Sequence, residues 1–509
     1  MGMKSAPLTD LPEIDKLRLL LAEQEAKISA QSNEIAWLKE QLGLSNINRF
    51  GSSSEKHPAQ DDLFNEAETC ESIEVTEEDS TTETIDGYER KKSGRRPLPK
   101  DLPRERIVHD LTDEEKSCDC CGGELHLVGE EISEQLDIVP AKVKVLQHVK
   151  LKYGCRGCED GITTAMTPKQ PIPGSIASPN TLAYVVTAKY CDALPLYRQS
   201  VIFGRIGVDI SRSTLSHWMM RSAEVLQPLY QAMYRQLLSE PILHADETTT
   251  QVLDEPDKAA QTKSYMWLYR TGERSAHPLV LFEYQPGRGR CCPQQFLAGY
   301  SGYLQVDGYA AYDNLENIVP VGCWAHARRK FDDAIKVLPK EKQKTGKGMV
   351  AINTIQKLYL IEKKIKDLGA DARKTARQEQ ATPIITGFKE WLTKSEAQGL
   401  PKSKMGIAIN YCLNQWPKLI RYLDDGDLAI DNNIAERDIR PFATGRKNWM
   451  FSQTPRGASN SAILYSLVLT ARANQINPYH YLAELFKRLP NLPAEEDLSG
   501  LMPWNIVLD

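Results

Sequence analysis

Pro241-Ile242-Leu243-His244-Ala245-Asp246-Glu247-Thr248 decides the fold of this chain, together with Tyr303-Leu304-Gln305-Val306-Asp307-Gly308-Tyr309. In each, a short apolar run ends in an acid. Between them lie two further strand-like runs, Tyr265-Met266-Trp267-Leu268-Tyr269 and Leu279-Val280-Leu281-Phe282, and a helix-like stretch near Pro293 to Leu297. After the second acid come a short run from Ile318 to Cys323 and a basic helix at Trp324-Ala325-His326-Ala327-Arg328-Arg329-Lys330. Short apolar runs bounded by turn residues read as buried strands, and strands interleaved with helices read as an α/β sheet.

Three strands, a helix, a fourth strand and another helix is the order of a ribonuclease-H-like sheet, in which the first and fourth strands lie side by side. Asp246 and Asp307 are then expected to face each other across one edge of that sheet. Two carboxylates a few ångströms apart repel strongly unless a divalent cation lies between them. Mg²⁺ (or Mn²⁺) suits such oxygen ligands, and two ions about 4 Å apart clamp an in-line phosphoryl displacement. A third acid, Glu436, is supplied by Asp431-Asn432-Asn433-Ile434-Ala435-Glu436-Arg437-Asp438-Ile439-Arg440-Pro441, a stretch expected to be helical. Arg440, Arg446 and Lys447 are expected to grip DNA phosphates near it. Glu247 is expected to point outward. Asp332, Asp333, Asp424, Asp425 and Asp427 read as solvated or capping acids. Cys323-x-x-His326 has the spacing of half a metal site, but no matching half is visible, so a structural role is expected.

Working toward the N-terminus, residues 178–235 read as a helix-turn-helix region. A helix from Leu196 runs to Gly207, and Ser211-Arg212-Ser213-Thr214 opens the next, with Ser211 as N-cap and Arg212 as a DNA-contacting residue. Residues 106–165 read as a zinc-binding β unit. Cys118-x-x-Cys121 and Cys155-x-x-Cys158 flank β-rich stretches at Glu134–Val139 and Val143–Leu146, and four thiolates suit a structural Zn²⁺. Residues 46–105 read as a linker. From Asp61 to Asp86 there are eleven acids and no Lys or Arg, a composition expected to be disordered, and a basic arm containing Arg95 and Arg96 follows. Residues 1–45 read as a coiled coil, with Ile14, Leu21, Ile28, Ile35 and Leu42 seven apart, although the second seam carries Gln24 and Gln31 between Leu17 and Leu38.

The whole chain has 509 residues, enough for about three domains of ordinary size. Mean hydropathy is −0.44, and no apolar run reaches the ~18 residues that a membrane span needs. The N-terminus shows no export signal, so a cytoplasmic protein, nucleoid-associated when bound to DNA, is expected, and paired cysteines in such a chain read as metal ligands. The net charge of −5 averages segments of opposite sign and excludes nothing.

Seven motifs stand in one order: Phe50-Gly51-Ser52-Ser53-Ser54-Glu55-Lys56, the two cysteine pairs, Ala245-Asp246-Glu247-Thr248, Val306-Asp307-Gly308-Tyr309, Cys323-Trp324-Ala325-His326, Asp431-Asn432-Asn433 through Arg440-Pro441, and Gly445-Arg446-Lys447-Asn448-Trp449. In these the chain resembles the bacterial IS66-family transposases over nearly all its length. The resemblance implies a DDE transposase with Asp246, Asp307 and Glu436 as its acids, binding terminal inverted repeats and target DNA as a homo-oligomer, with small accessory proteins of the element as further partners. It implies an α/β multidomain chain whose catalytic core spans 240–455, with a helical insertion at about 340–425 and a C-terminal helical region at 456–509. Two departures stand out from the wider DDE pattern. Asp307 and Glu436 are 129 residues apart, and the positions where that pattern places an arginine and a lysine hold Asn432 and Ala443. The alternatives are a ribonuclease-H-like nuclease that only hydrolyses DNA and a catalytically silent DNA-binding protein.

Overall fold

The computed structural model of the chain describes residues 143–154, 162–339, 343–344, 346–397, 400–493 and 497–508, with positions between 17 and 38 and the pairs 84–85 and 88–89. Cys118, Cys121, Cys155, Cys158, Arg95, Arg96 and the motif at 50–56 lie outside the described residues. Residues 72–165 form one compact unit and the rest of the chain another.

In the smaller unit, Lys152–Gly154 pairs antiparallel with Ile162–Thr164. Val143–Leu146, expected to be β-rich, belongs to no ladder among the described residues, and Glu134–Val139 lies outside them. Thr84–Ile85 pairs with Tyr88–Glu89 across Asp86-Gly87, so a minimal hairpin stands at the end of the acidic stretch expected to lack structure.

Beyond residue 166 the larger unit has first three helices: α1 (Pro179–Tyr190), α2 (Leu196–Arg205) and α3 (Arg212–Leu238). Between α2 and α3, Gly207 takes φ +82° in the turn, and the Ser211 hydroxyl accepts the Thr214 N–H as N-cap. A mixed sheet follows, made of β1 (Ile242–Gln251), β2 (Lys263–Thr271), β3 (Val280–Gln285), β4 (Gly302–Gln305) and β5 (Ile318–Val321). Its order is β3-β2-β1-β4-β5, with β1–β2 and β2–β3 antiparallel and β1–β4 and β4–β5 parallel. The first and fourth strands are neighbours, as expected. The short helix α4 (Cys291–Phe296) precedes β4, and α5 (Trp324–Lys336) follows β5.

The expected helical insertion is α6 (Lys347–Ile365), α7 (Ala370–Ala376), α8 (Thr382–Ala397) and α9 (Lys404–Leu419). Its apolar faces meet α5 in a core of their own that includes Trp324, Phe331, Ile355, Phe388 and Tyr422. The chain then returns to the sheet through α10 (Asn433–Trp449) and ends in α11 (Pro455–Ala473) and α12 (Pro478–Arg488). Residues of α1, α3, α11, α12 and the sheet share the second core. The helices of 178–235 and the C-terminal helices therefore pack with the sheet. Among the described residues no helix is long and apolar enough to cross a membrane.

Candidate functional site

The parallel pairing of β1 and β4 builds the site. His244 is in register with Gln305, so two residues further along each strand Asp246 and Asp307 come to adjacent positions on the same side of the sheet. Asp246 Oδ1 accepts its neighbour Glu247's N–H at 2.8 Å. Asp307 Oδ1 accepts the Tyr309 N–H at 2.8 Å, a local turn that ends the strand and fixes the carboxylate. The intervening Gly308 is required by space: a Cβ there would stand 2.7 Å from the Tyr411 ring.

Glu436 reaches the same place from the first turn of α10, where it is buried. Asn432, at the N-cap of that helix, anchors it. Its Oδ1 accepts from His244 Nδ1 at 2.9 Å, its Nδ2 donates to the Ala245 carbonyl at 2.9 Å, and its N–H points to Cys323 Sγ at 3.2 Å. His244 is held neutral, its pKa lowered to about 3 by burial and by Arg270. Ala443, the other departure from the wider pattern, is buried in the core.

Electrostatics tie the acids together. The Asp246 carboxyl is pushed well above the usual carboxylate range, first by burial and then by Glu247, Glu436 and Asp307. Asp307 is raised by burial, against the pull of the Tyr309 N–H, Arg288, Lys418 and Arg329. Glu436 lies 3.5 Å from both His326 Nδ1 and Arg329.

Glu247 corrects the expectation of an outward side chain. It is buried, accepts from Arg288 Nε at 2.7 Å and from the Tyr312 hydroxyl, and its pKa is raised by burial and by Asp307. The far face of β1 is covered here by Tyr312, from the segment after Asp307, and by Arg288, so an outward-facing position on the strand is not a solvated one. Arg288 lies 3.8 Å from the Tyr309 ring centroid, which fixes this cation beside the acids. Sequence reading missed Arg288, Tyr312 and Arg329, and the basic run at Arg328-Arg329-Lys330 was the one available hint.

The expected phosphate-gripping residues are distributed differently. Glu436, Arg440 and Lys447 share one face of α10 by their spacing. Arg446 turns aside and donates to Thr248 Oγ1 at 3.2 Å, to Thr249 Oγ1 at 2.9 Å and to the Thr249 carbonyl. Arg212 is exposed at the start of α3, away from these contacts. Asp332 pairs with Lys336 at the surface, and Asp427 pairs with the buried Arg373. For Cys323-x-x-His326 the missing partner exists: their ligand atoms and that of Glu436 all lie within 4.8 Å of one another.

Comparison with known proteins agrees along the chain. Residues 174–460 match the Transposase IS66 family, 115–159 the zinc-finger binding domain of transposase IS66, and 466–504 the IS66 C-terminal element. Residues 37–107 match the family described as Transposase C of IS166 homeodomain. Among curated proteins, the uncharacterized protein y4qI of Sinorhizobium fredii is 32% identical over 99% of this chain and 99% of its own. The uncharacterized protein y4jD of the same organism is 34% identical over 80% of this chain and 81% of its own.

Proposed function

The chain belongs to the IS66 transposase family, and from that premise we propose that it is a DDE-type DNA transposase that binds the terminal inverted repeats of its element and carries out cleavage and strand transfer at Asp246, Asp307 and Glu436. The observation that carries this reading is the convergence of the three acids from β1, the end of β4 and α10. A strand order of β3-β2-β1-β4-β5 with acids at those positions supports a ribonuclease-H-like core.

The donor set fits a hard divalent cation. Asp246, desolvated and pushed up by Glu247, Glu436 and Asp307, is short of positive charge, and an ion such as Mg²⁺ or Mn²⁺ would be held by Asp246, Asp307 and Glu436 and would supply it. When bound, such ions activate water and stabilise charge on the phosphate in flight. The chain's own residues do the rest. Asn432 and His244 hold the helix carrying Glu436 against β1. Arg288 and Tyr312 keep Glu247 in place beside Asp246. Arg440 and Lys447, on the Glu436 face of α10, meet DNA phosphates entering the site, while Arg212 at the start of α3, with Arg95 and Arg96, contacts the element end. Structural Zn²⁺ is held by Cys118, Cys121, Cys155 and Cys158 in the segment matching the IS66 zinc-finger domain.

The test is strand transfer with DNA bearing the element's terminal repeats. Asp246→Asn, Asp307→Asn and Glu436→Gln should each cut joining by orders of magnitude while leaving end binding in place, because the charge that a cation requires is lost but the contacts to DNA are not. Cleavage without joining by the parent would point to a nuclease. Near-normal joining by all three variants would end the DDE reading.

A further inference from the structure

We propose that Cys323, His326 and Glu436 form a binding site for a thiophilic divalent cation of the zinc type, adjoining the three acids and sharing Glu436 with them. The donor set is the first argument. A thiolate, an imidazole and a carboxylate on one centre suit Zn²⁺ and are foreign to Mg²⁺, which takes oxygen. Spacing is the second. Tetrahedral zinc with bonds of about 2.0–2.3 Å sets its ligand atoms roughly 3.5 Å apart. His326 Nδ1 and Glu436 Oε1 are already 3.5 Å apart, and all three ligand atoms lie within 4.8 Å, so a small side-chain contraction completes the site.

The surroundings favour it. Cys323 is buried, and burial with Asp431 and Glu436 holds its thiol well above the usual range, so a cation would take the place of that proton, with the Asn432 N–H 3.2 Å from Sγ. His326 Nδ1 is buried and makes no hydrogen bond. Cys323 and His326 lie one turn apart at the start of α5, whereas Glu436 is in the first turn of α10, beyond the whole helical insertion. A cation here ties the two helix starts together and so fixes the carboxylate on which the acid site depends. Three protein ligands leave a fourth position open to water or a phosphate oxygen, unlike a closed site of four cysteines.

Binding requires neither DNA nor turnover, so this assignment stands or falls apart from the transposition reading. Zinc retained by the purified full-length chain against a moderate competing chelator is counted by elemental analysis for the parent, Cys323→Ser, His326→Ala and Asp246→Asn. Each of the first two variants should hold one zinc fewer per chain than the parent, and Asp246→Asn should hold as many as the parent. Cobalt added to the parent after chelation mild enough to leave zinc on the four cysteines should produce a thiolate-to-metal charge-transfer band that Cys323→Ser, treated in the same way, does not show. Thermal unfolding shows whether each variant is folded. If burial makes Cys323→Ser fail to fold, the partly exposed His326→Ala decides alone. An unchanged zinc count in either folded variant overturns the site, and so does a matching loss in Asp246→Asn, which would place that zinc among the acids instead.

Discussion

Glu283 stands in β3 with its Oε1 held by the Gln285 amide at 2.9 Å and its Oε2 buried without a hydrogen-bond partner. Burial raises its pKa to about 7. The unfolded chain releases that proton near 4.3, so between these values the folded state holds the proton more tightly. The resulting stability is complete below the unfolded pKa and is lost as pH rises through about 7, a change of at most about 4 kcal/mol. Glu283→Gln carries no charge at either end of this range. Urea unfolding at pH 5 and pH 8 should show the parent losing stability across the interval and the variant holding it, with the variant the more stable at pH 8. Parallel pH profiles would mean that Glu283 is ionised in the folded protein. At this scale the sequence was most legible where chemistry is specific to residue type: Asp246, Asp307 and Glu436 were picked as acids at strand and helix ends, and they converge. It failed at Glu247, because alternation along a strand turns neighbours to opposite faces but does not say that Tyr312 and Arg288 cover the second face.

The central strands stand at nearly the places that the apolar runs predict, since each run is short and bounded by turn residues. The extent of β1 is not predicted, because Asp246 to Gln251 is polar and enters the sheet only through its antiparallel ladder with β2. The role of α11 was equally hidden. This helix is buried nearly all round, and two hydroxyls on it take the place of a sixth strand. Thr470 Oγ1 accepts the Val280 N–H at 3.0 Å and donates to the Val280 carbonyl at 3.0 Å, while Ser466 Oγ accepts the Phe282 N–H at 2.8 Å. The edge of β3 is thereby closed to pairing with another chain. Thr470→Val keeps the shape but orphans a buried donor and a buried acceptor, each worth about 1–3 kcal/mol. Denaturant titration should show a loss of a few kcal/mol, with a smaller loss for Ser466→Ala, which orphans one donor. A change within about 0.5 kcal/mol for Thr470→Val would show that water reaches this edge.

For the molecule as a whole, the sequence does not show how distant segments combine: two cores, one built by the insertion with α5, the other by α1 and α3 with the sheet, α11 and α12. Near the N-terminus the heptad spacing leads to a prediction of self-association. The described positions between 17 and 38 are helical, and Leu21, Ile28 and Ile35 are 61%, 62% and 52% exposed. An exposed apolar seam repeating every seven residues is what a coiled coil buries between helices. Gln24 and Gln31 interrupt the second seam, so the isolated coil should be weak. Holding two chains on paired element ends raises its effective concentration, and association should strengthen on DNA. Sedimentation of the full chain and of a chain lacking residues 1–45, each with and without terminal-repeat DNA, tests this. The full chain should reach a higher order on DNA than alone, and the truncated chain should lose most of that gain while still binding DNA through segments beyond the deletion. The same oligomer distribution for both chains under both conditions would mean that the seam packs on its own protein and that assembly is driven from elsewhere.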